Sequence, residues 1–422
     1  MSEPDKDKSY QKFKDGKEFP PPYAGMPAEM VRHYASQTIY VRIRQGLFLF
    51  VVAIIALLVT LSAITISKSA PCLETWQKHI IYQVYPRSFK DSNGDGFGDL
   101  RGILEKADYF NELGITAIWL NPIYKSPQTD MGYDISDFRE IDEIFGSMDD
   151  FEELIDELHA RGIQVIMDIV PNHSSNEHDW FLASSDPTHE DHEKYKDYYV
   201  WKPARDPSSN ICNSTYPNNW VSEFDGPAWE FSESRGMYYL HQFYPTQPDL
   251  NYANPAVVQE MVDIVKFWLD KGVDGFRIDA AGYIAEHPNF LDEPPSDPSL
   301  PYYCSSKESK NTDTVKVFTR SQAGMHEVLE AMKYELIQAS KEPGVDKFMI
   351  TEDYNFDARE IARYYGSTQA KEADFPFNFW LLNYSMEQYN SNSAWSASKV
   401  ATDVIEAWLD APKYTRVAQE RI

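Results

Sequence analysis

Five polar residues fall where short apolar runs end. They are Asp168 and His173 in DIVPNH, Arg277 and Asp279 in GFRID, and Glu352 in MITED. Arg277 and Asp279 are two apart, so on a strand both point to one face. An arginine beside a buried aspartate favours the charged carboxylate. Asp279 therefore suits a nucleophile, and Glu352, on the next strand, suits a proton donor. Two carboxyl groups about 5 Å apart are what retaining glycoside hydrolysis uses. Any one of these acids alone reads equally well as a solvated loop residue or half of a structural ion pair. The ordered set carries the chemical reading.

Regular elements must bring these residues together. From His79 onward, strand-like runs alternate with helix-like stretches. IIYQVYP is followed by the helical ILEKADYFNELG, then ITAIWLNP by FEELIDELHARG and IQVIMDIV. NPAVVQEMVDIVKFWLDKG precedes VDGFRIDA, and a helix around Met325–Ser340 precedes KFMITED. Buried strands alternating with helices predict an α/β fold with a parallel sheet. In a (β/α) barrel the strand C-termini share one face, where active sites lie. The stretch from Ser174 to Pro248 breaks the rhythm, is rich in Asp, His, Asn, Pro, Trp and Tyr, and lacks a clear helix. It reads as a subdomain (174–248) inserted into a barrel formed by 76–173 and 249–422.

The segment before the barrel differs in kind. Leu47 to Ile66 reads LFLFVVAIIALLVTLSAITI, 20 residues without a charge, enough to cross a hydrocarbon core of about 30 Å. Because 46 residues precede it, it reads as a retained anchor over 45–67 rather than a signal peptide. A buried core helix would carry a polar stripe. Arg32, Arg42 and Arg44 lie before the span and only Lys68 immediately after it. The positive-inside rule then places the N-terminus in the cytoplasm, a single-pass type II arrangement. The tail 1–44, with KDKSYQKFKDG and Pro20–Pro22, reads as disordered. It holds 8 Lys/Arg and 6 Asp/Glu, so of the net −27 the rest of the chain carries −29. That acidity disfavours nucleic acid, and a mean hydropathy of −0.51 excludes a multi-span protein.

Three cysteines exclude a disulfide-dense scaffold and a four-cysteine zinc site. Cys72, just beyond the span, suits a bond to another membrane protein; a free or locally paired thiol is the alternative. Cys212 and Cys304 are candidates to pair with each other. Sequons occur at Asn172, Asn213 and Asn383. Asn213 and Asn383 are the candidate glycan sites, with Asn213 in a polar, Pro-containing loop.

The motifs YPRSFKDSNGDGFGDLRGI, GYDISDF, DIVPNH, QPDLN, GFRIDA, ITED and EADFPFN resemble the α-amylase superfamily, glycoside hydrolase family 13, in its α-glucosidase and oligo-1,6-glucosidase branch. The resemblance runs from about Trp76 to Lys413. It implies a TIM barrel with a subdomain after strand three. It makes Asp279 the nucleophile and Glu352 the general acid/base. It implies that Asp134 binds the terminal sugar, that Tyr133 stacks on it, and that His173 and Arg277 bind its hydroxyls and orient Asp279. Ala280 goes in this branch with α-1,4 linkages. Structural Ca2+ is also implied. One site would use Asp91, Asn93, Asp95, Phe97 and Asp99, oxygen donors alternating around glycines; an Asx- and Gly-rich turn without metal is the alternative. The other would use Asn172, Asp249, Glu286 and the carbonyls of Tyr283 and Ile284, a role that competes with glycosylation of Asn172.

The N-terminal features resemble the rBAT-type heavy subunits of heteromeric amino-acid transporters. PYAGMP, the uncleaved span and Cys72 carry that resemblance, with GMH at Gly324–His326. It implies a plasma-membrane glycoprotein with its C-terminal domain outside, joined through Cys72 and the span to a polytopic light chain. A membrane-anchored α-glucosidase acting on an α-glucoside is the alternative, and a lectin-like module a third. Against the family's pattern, the sequence at Ile422 lacks strands seven and eight and the third catalytic carboxylate. The expectation is therefore an incomplete barrel of about six strands, from a truncated isoform or incomplete gene model.

Overall fold

The computed structural model describes residues 28–68, 75–206, 208, 212, 215–340, 346–367, 370–391 and 396–406. It divides into two compact units, Met1–Leu73 and Glu74–Ile422. In the first, α1 (Ala28–Ser36) precedes α2 (Thr38–Lys68). Within α2, Thr38–Ile64 is long and apolar enough to cross a membrane, and none of its most apolar window is buried. The helix extends several residues beyond the expected 45–67 at its start, because Tyr40, Val41 and Ile43 continue the helical run. Cys72 and Asn213 lie outside the described residues.

The second unit is built on six parallel strands in simple sequential order. They are β1 (Ile81–Val84), β2 (Ala117–Leu120), β3 (Gln164–Ile169), β4 (Gly275–Ile278), β5 (Phe348–Thr351) and β6 (Phe375–Pro376). Each crossover that carries a helix packs it on the outside, and the sheet curls into a half-barrel. The α3 helix (Met148–Ala160) starts at a Ser147–Asp150 capping box and buries Phe151, Leu154, Ile155 and Leu158, the spacing of one helix face. The α4 helix (Pro255–Asp270) has Asn254 as its cap and proline in its first turn, where a missing N–H costs nothing. The α5 helix (Ala323–Ala339) buries Met325, Val328, Leu329, Met332 and Leu336. The stretch ILEKADYFNELG is two short helices rather than one, Leu100–Leu104 and Ala107–Glu112.

Strand alternation divides the apolar residues between two cores. Ile118, Leu120, Val165, Met167, Phe276, Ile278 and Met349 pack outward in the main core with the helices. Ala117, Trp119, Ile166, Phe348 and Ile350 pack inside the curl.

Within 174–248 the chain forms a seven-residue helix, Asp179–Ser185, a single helical turn, His192–Tyr195, and a three-stranded antiparallel sheet with Met237–Leu240 at its centre, flanked by Trp201–Lys202 and Trp229–Ser232. The helix corrects the expectation of none in this stretch: His178 caps it and Trp180 and Phe181 bury its inner side. The sheet has its own core of Val200, Trp220, Trp229, Tyr238 and Leu240, which Phe290 and Phe318 join from beyond β4. Cys212 and Cys304 are disulfide-bonded, with Cα atoms 5.3 Å apart. The segment after β4 thus packs on the inserted sheet as well as on the barrel. Glu293 anchors it: one carboxylate oxygen accepts from Val317 N at 2.8 Å. The other accepts from Phe318 N, Thr319 N and the Thr319 hydroxyl at 2.8–3.0 Å.

Candidate active site

The inward-facing positions of β1 to β5 turn polar at their C-terminal ends. Ile81, Trp119, Ile166, Gly275 and Ile350 are each followed, two residues on, by Gln83, Asn121, Asp168, Arg277 and Glu352. Period-two geometry puts all five on the inner face. Asp168 and Arg277 are register partners on adjacent strands. A hydrogen-bonded chain joins the row: Gln83 donates to Asn121 (2.9 Å), Asn121 to the Tyr133 hydroxyl (2.7 Å), and Tyr133 to Asp168 (3.1 Å).

Arg277 is the hub. Its Nη1 donates to Asp168 Oδ1 at 2.6 Å and to Asp279 Oδ1 at 2.5 Å, and its Nη2 lies 2.6 Å from Glu352 Oε2. Trp119 and Phe377 flank the guanidinium, with ring centroids at 5.0 and 5.8 Å, a cation–π setting. Asp279 is held by its own N–H on Ile169 O. The next residue, Ala280, has φ of 46°, a left-handed conformation that strains a non-glycine residue. Its N–H, so turned, donates to Glu352 Oε2 at 3.2 Å. Together these place Asp279 and Glu352 on one cavity of about 410 Å³ with Asp130, Tyr133, His173, Glu223, Phe224, Phe243 and Tyr354.

Asp134 is placed elsewhere. Its carboxylate is fully buried and accepts from Ser126 Oγ, Thr129 N and Asp130 N, each at 2.9 Å. It braces its own loop and does not line the cavity. Asp130, four residues earlier, does. Gln247 donates to Asp130 at 2.9 Å and lies 3.0 Å from His173 Nε2. Asp130, Gln247 and Asn121 went unassigned in the sequence, while Asp168 was singled out at its strand end without a role of its own; the inner-face alternation contained the signal for Asn121. Tyr133 and His173 both line the cavity.

Burial governs the protonation of the site. It pushes Asp168 up to about 7, against the pull of Arg277, with Asp279 adding to the rise. It also raises Glu352, and the neighbouring Asp279 charge raises it further. A carboxyl group whose pKa is raised beside another carboxylate suits a proton donor. Burial opposes the charge on Arg277, but the carboxylates around it outweigh that and hold it firmly protonated. Burial lowers His173 to about 4, so it stands neutral.

Comparison with known proteins fits this geometry. The family described as alpha amylase, catalytic domain, matches residues 83–419. The chain belongs to the α-amylase family. It is 39% identical to the human amino acid transporter heavy chain SLC3A1 over 396 residues, 92% of this chain and 54% of that protein. It is 44% identical to maltase 1 of Drosophila virilis over 324 residues, 76% of this chain and 48% of that one. The crystal structure of Bacillus licheniformis trehalose-6-phosphate hydrolase matches with a TM-score of 0.62 at 40% identity, covering 74% of this chain and 50% of that one. The chain spans about half the length of the curated relatives it matches. The half-barrel is therefore an α-amylase TIM-barrel fold, and the row of strand-end acids lies on the face where such barrels carry their sites.

Two oxygen-rich clusters in this α-amylase domain bear on calcium. In the first, Asp249 Oδ2, Tyr283 O and Glu286 Oε1 converge on one point, taken by Gln242 Nε2 at 2.7, 3.1 and 3.1 Å. Asn172 lies against the same Asp249 and Tyr283 oxygens, and Ile284 is the next residue along. Burial pushes Asp249 up to about 7. A buried carboxylate, a half-buried one and a carbonyl aimed at one point fit an oxygen-seeking cation. In the second, Asp91 accepts from the N–H groups of Asn93, Gly94 and Gly96, and Asp95 from Phe97 N. Asp99 caps the helix at Gly102 and takes Ser92 N. These donors are all oxygen, but loop N–H groups engage them, as in an Asx-rich turn. Among the described residues no three His, Cys, Asp or Glu side chains group as a metal site. Asn383 lies in the helix Trp380–Ser391.

Proposed function

We propose that this chain is the heavy, accessory subunit of an amino-acid transporter. It sits in the plasma membrane as a single-pass type II glycoprotein, with the α-amylase domain outside and Cys72 bonded to a polytopic light chain. One observation supports this most. The heavy-chain match leaves only 8% of 422 residues, about 34, uncovered. Even if all of these lay at the N-terminus, the similarity would include α2 and Cys72, whereas the maltase match covers 76%. The Arg-rich flank before α2 and the single Lys68 after it support the orientation. The test is recovery of partners under non-reducing conditions. The expected result is a heavier species that collapses with reductant and is absent in Cys72→Ser. Unchanged partner recovery and surface delivery in that variant would overturn the reading.

A second reading rests on a separate observation, the Arg277 bridge between Asp279 and Glu352. We propose that the cavity binds an α-glucoside and cleaves it with retention. Asp279, ion-paired with Arg277 at 2.5 Å, attacks the anomeric carbon. Glu352 donates its proton to the leaving oxygen and then takes one from the incoming water. Asp130, Gln247 and His173 hold ring hydroxyls. Ca2+ held by Asn172, Asp249, Glu286 and the carbonyls of Tyr283 and Ile284 would supply charge balance to these carboxylates, and Asp91–Asp99 would form a second, loop-bound site. The test is turnover of an aryl α-glucoside, expected to vanish in Asp279→Asn; no turnover by the wild-type chain would sink this reading alone.

A further inference from the structure

The start of the first unit has a fixed shape that a membrane span alone does not need. The α1 helix ends at Ser36 and α2 begins at Thr38, so the chain turns at Gln37. Three contacts hold the turn. Gln37 N donates to Tyr34 O at 3.1 Å. Tyr34 and Tyr40 meet edge to face, with centroids 6.0 Å apart. Arg44, on the second turn of α2, reaches back nine residues and donates to Ala35 O at 2.7 Å. A guanidinium on the last carbonyls of a helix satisfies orphan acceptors and suits the negative end of its dipole.

The elbow is also sided. The α1 helix has no buried residue. Met30, Val31 and Tyr34, at i, i+1 and i+4, lie along one side of it, and Val31 and Tyr34 are exposed, as are Ile39, Tyr40 and Ile43 on α2. Arg32, Arg42 and Arg44 supply positive charge, and Glu29 is the one acid between 28 and 68. Short amphipathic helices with basic and aromatic residues lie in the headgroup layer, and tyrosines at the end of a span settle at that depth.

We infer that this elbow is a binding surface for anionic phospholipid. The α1 helix lies in the plane of the membrane with Met30, Val31 and Tyr34 in the acyl boundary, and Arg32, Arg42 and Arg44 contact phosphate and carboxylate headgroups. The inference rests on the reading of α2 as a membrane span and adds a lipid preference to it. Each basic residue at an anionic surface strengthens binding about fivefold, so the three arginines together decide whether α1 lies down.

The experiment places a nitroxide at Val31→Cys in the Cys72→Ser full chain, reconstituted in phosphatidylcholine vesicles with or without phosphatidylserine. The expected result is a label accessible to membrane-dissolved oxygen and shielded from an aqueous nickel relaxant when phosphatidylserine is present, and the reverse when it is absent. Arg32→Gln/Arg42→Gln/Arg44→Gln should abolish the difference, while Arg44→Lys, which keeps the charge, should retain it. Equal accessibility in the two lipids, or a triple variant that behaves like its parent, overturns the inference. A second label at Ala56→Cys reports on the span by itself. If that label is water-exposed the span reading fails, while the Val31 label still decides whether α1 binds the anionic surface.

Discussion

Arg277→Met tests the electrostatic core of the site. In the native protein one guanidinium contacts Asp168, Asp279 and Glu352 at 2.5–2.6 Å, and the three carboxylate side chains are 0, 13 and 11% exposed. Methionine fills similar space between Trp119 and Phe377 but leaves the acids uncompensated. Breaking a buried ion pair costs about 3–5 kcal/mol. The cost must depend on pH, because the acids can escape it by binding protons. Burial already pushes Asp168 up to about 7 with Arg277 present and raises Glu352 as well, and loss of Arg277 raises both further. An acid whose folded-state pKa lies above its unfolded value contributes stability at low pH and loses it as pH rises through the folded value. The deficit of Arg277→Met should therefore be small near pH 5 and approach the full about 3–5 kcal/mol near pH 8. Urea denaturation of the full chain in detergent, followed by tryptophan fluorescence at both pH values, measures it. Arg277→Lys should recover part of the loss, since one ammonium cannot span three carboxylates. An equal deficit at pH 5 and 8, or one below about 1 kcal/mol at pH 8, would refute the reasoning that Arg277 balances buried charge.

Three further outcomes follow from groups outside the hub. His178 is lowered to about 3 by burial, with Arg139 adding to the effect, so it contributes stability above its ordinary value that is lost as pH falls from 6.5. His178→Asn, which retains a cap acceptor for Trp180 N, should lose packing at every pH but gain on the wild type by about 2–3 kcal/mol between pH 7 and 4; parallel melting curves would contradict this. Glu293→Gln keeps one acceptor oxygen, so the amides of Phe318 and Thr319 can stay bonded while Val317 N faces a donor. Hydrogen exchange should therefore rise at Val317 first, with a stability loss of about 2–3 kcal/mol. Cys304→Ser opens a link across 92 residues and should cost about 4 kcal/mol, read as a fall in the unfolding midpoint under oxidising conditions only.

The parts of this molecule legible in sequence are those with a local period. The strands at Ala117, Gln164, Gly275 and Phe348 are short apolar runs, and their alternation fixes which residues enter the site. Arg277, Asp279 and Glu352 could be read for that reason. Asp130 and Asp134 could not be told apart in the same way. Both sit in an irregular loop, where a side chain's direction depends on which backbone N–H groups it meets; Asp134 meets two of them and Ser126 Oγ, and so turns away from the cavity. The segment between Ala281 and Gln322 was opaque for a related reason. Its order comes from Glu293 and from Asn219, whose amide donates to Glu293 O across 74 positions, and no periodic pattern records such partners.

The arrangement of the residues also decides how the two functional readings can be separated. The cavity and its described contacts draw on β1 to β5 and the loops that follow the barrel strands, all within the second unit, and Cys72 belongs to the other compact unit. Independent sites have additive effects. Asp279→Asn should therefore leave partner recovery unchanged, and Cys72→Ser should leave glycoside turnover unchanged, if the chain carries both properties. Partner recovery lost in Asp279→Asn without a loss of thermal stability would mean that the sugar cavity itself communicates with the light chain, and the two readings would then describe one function.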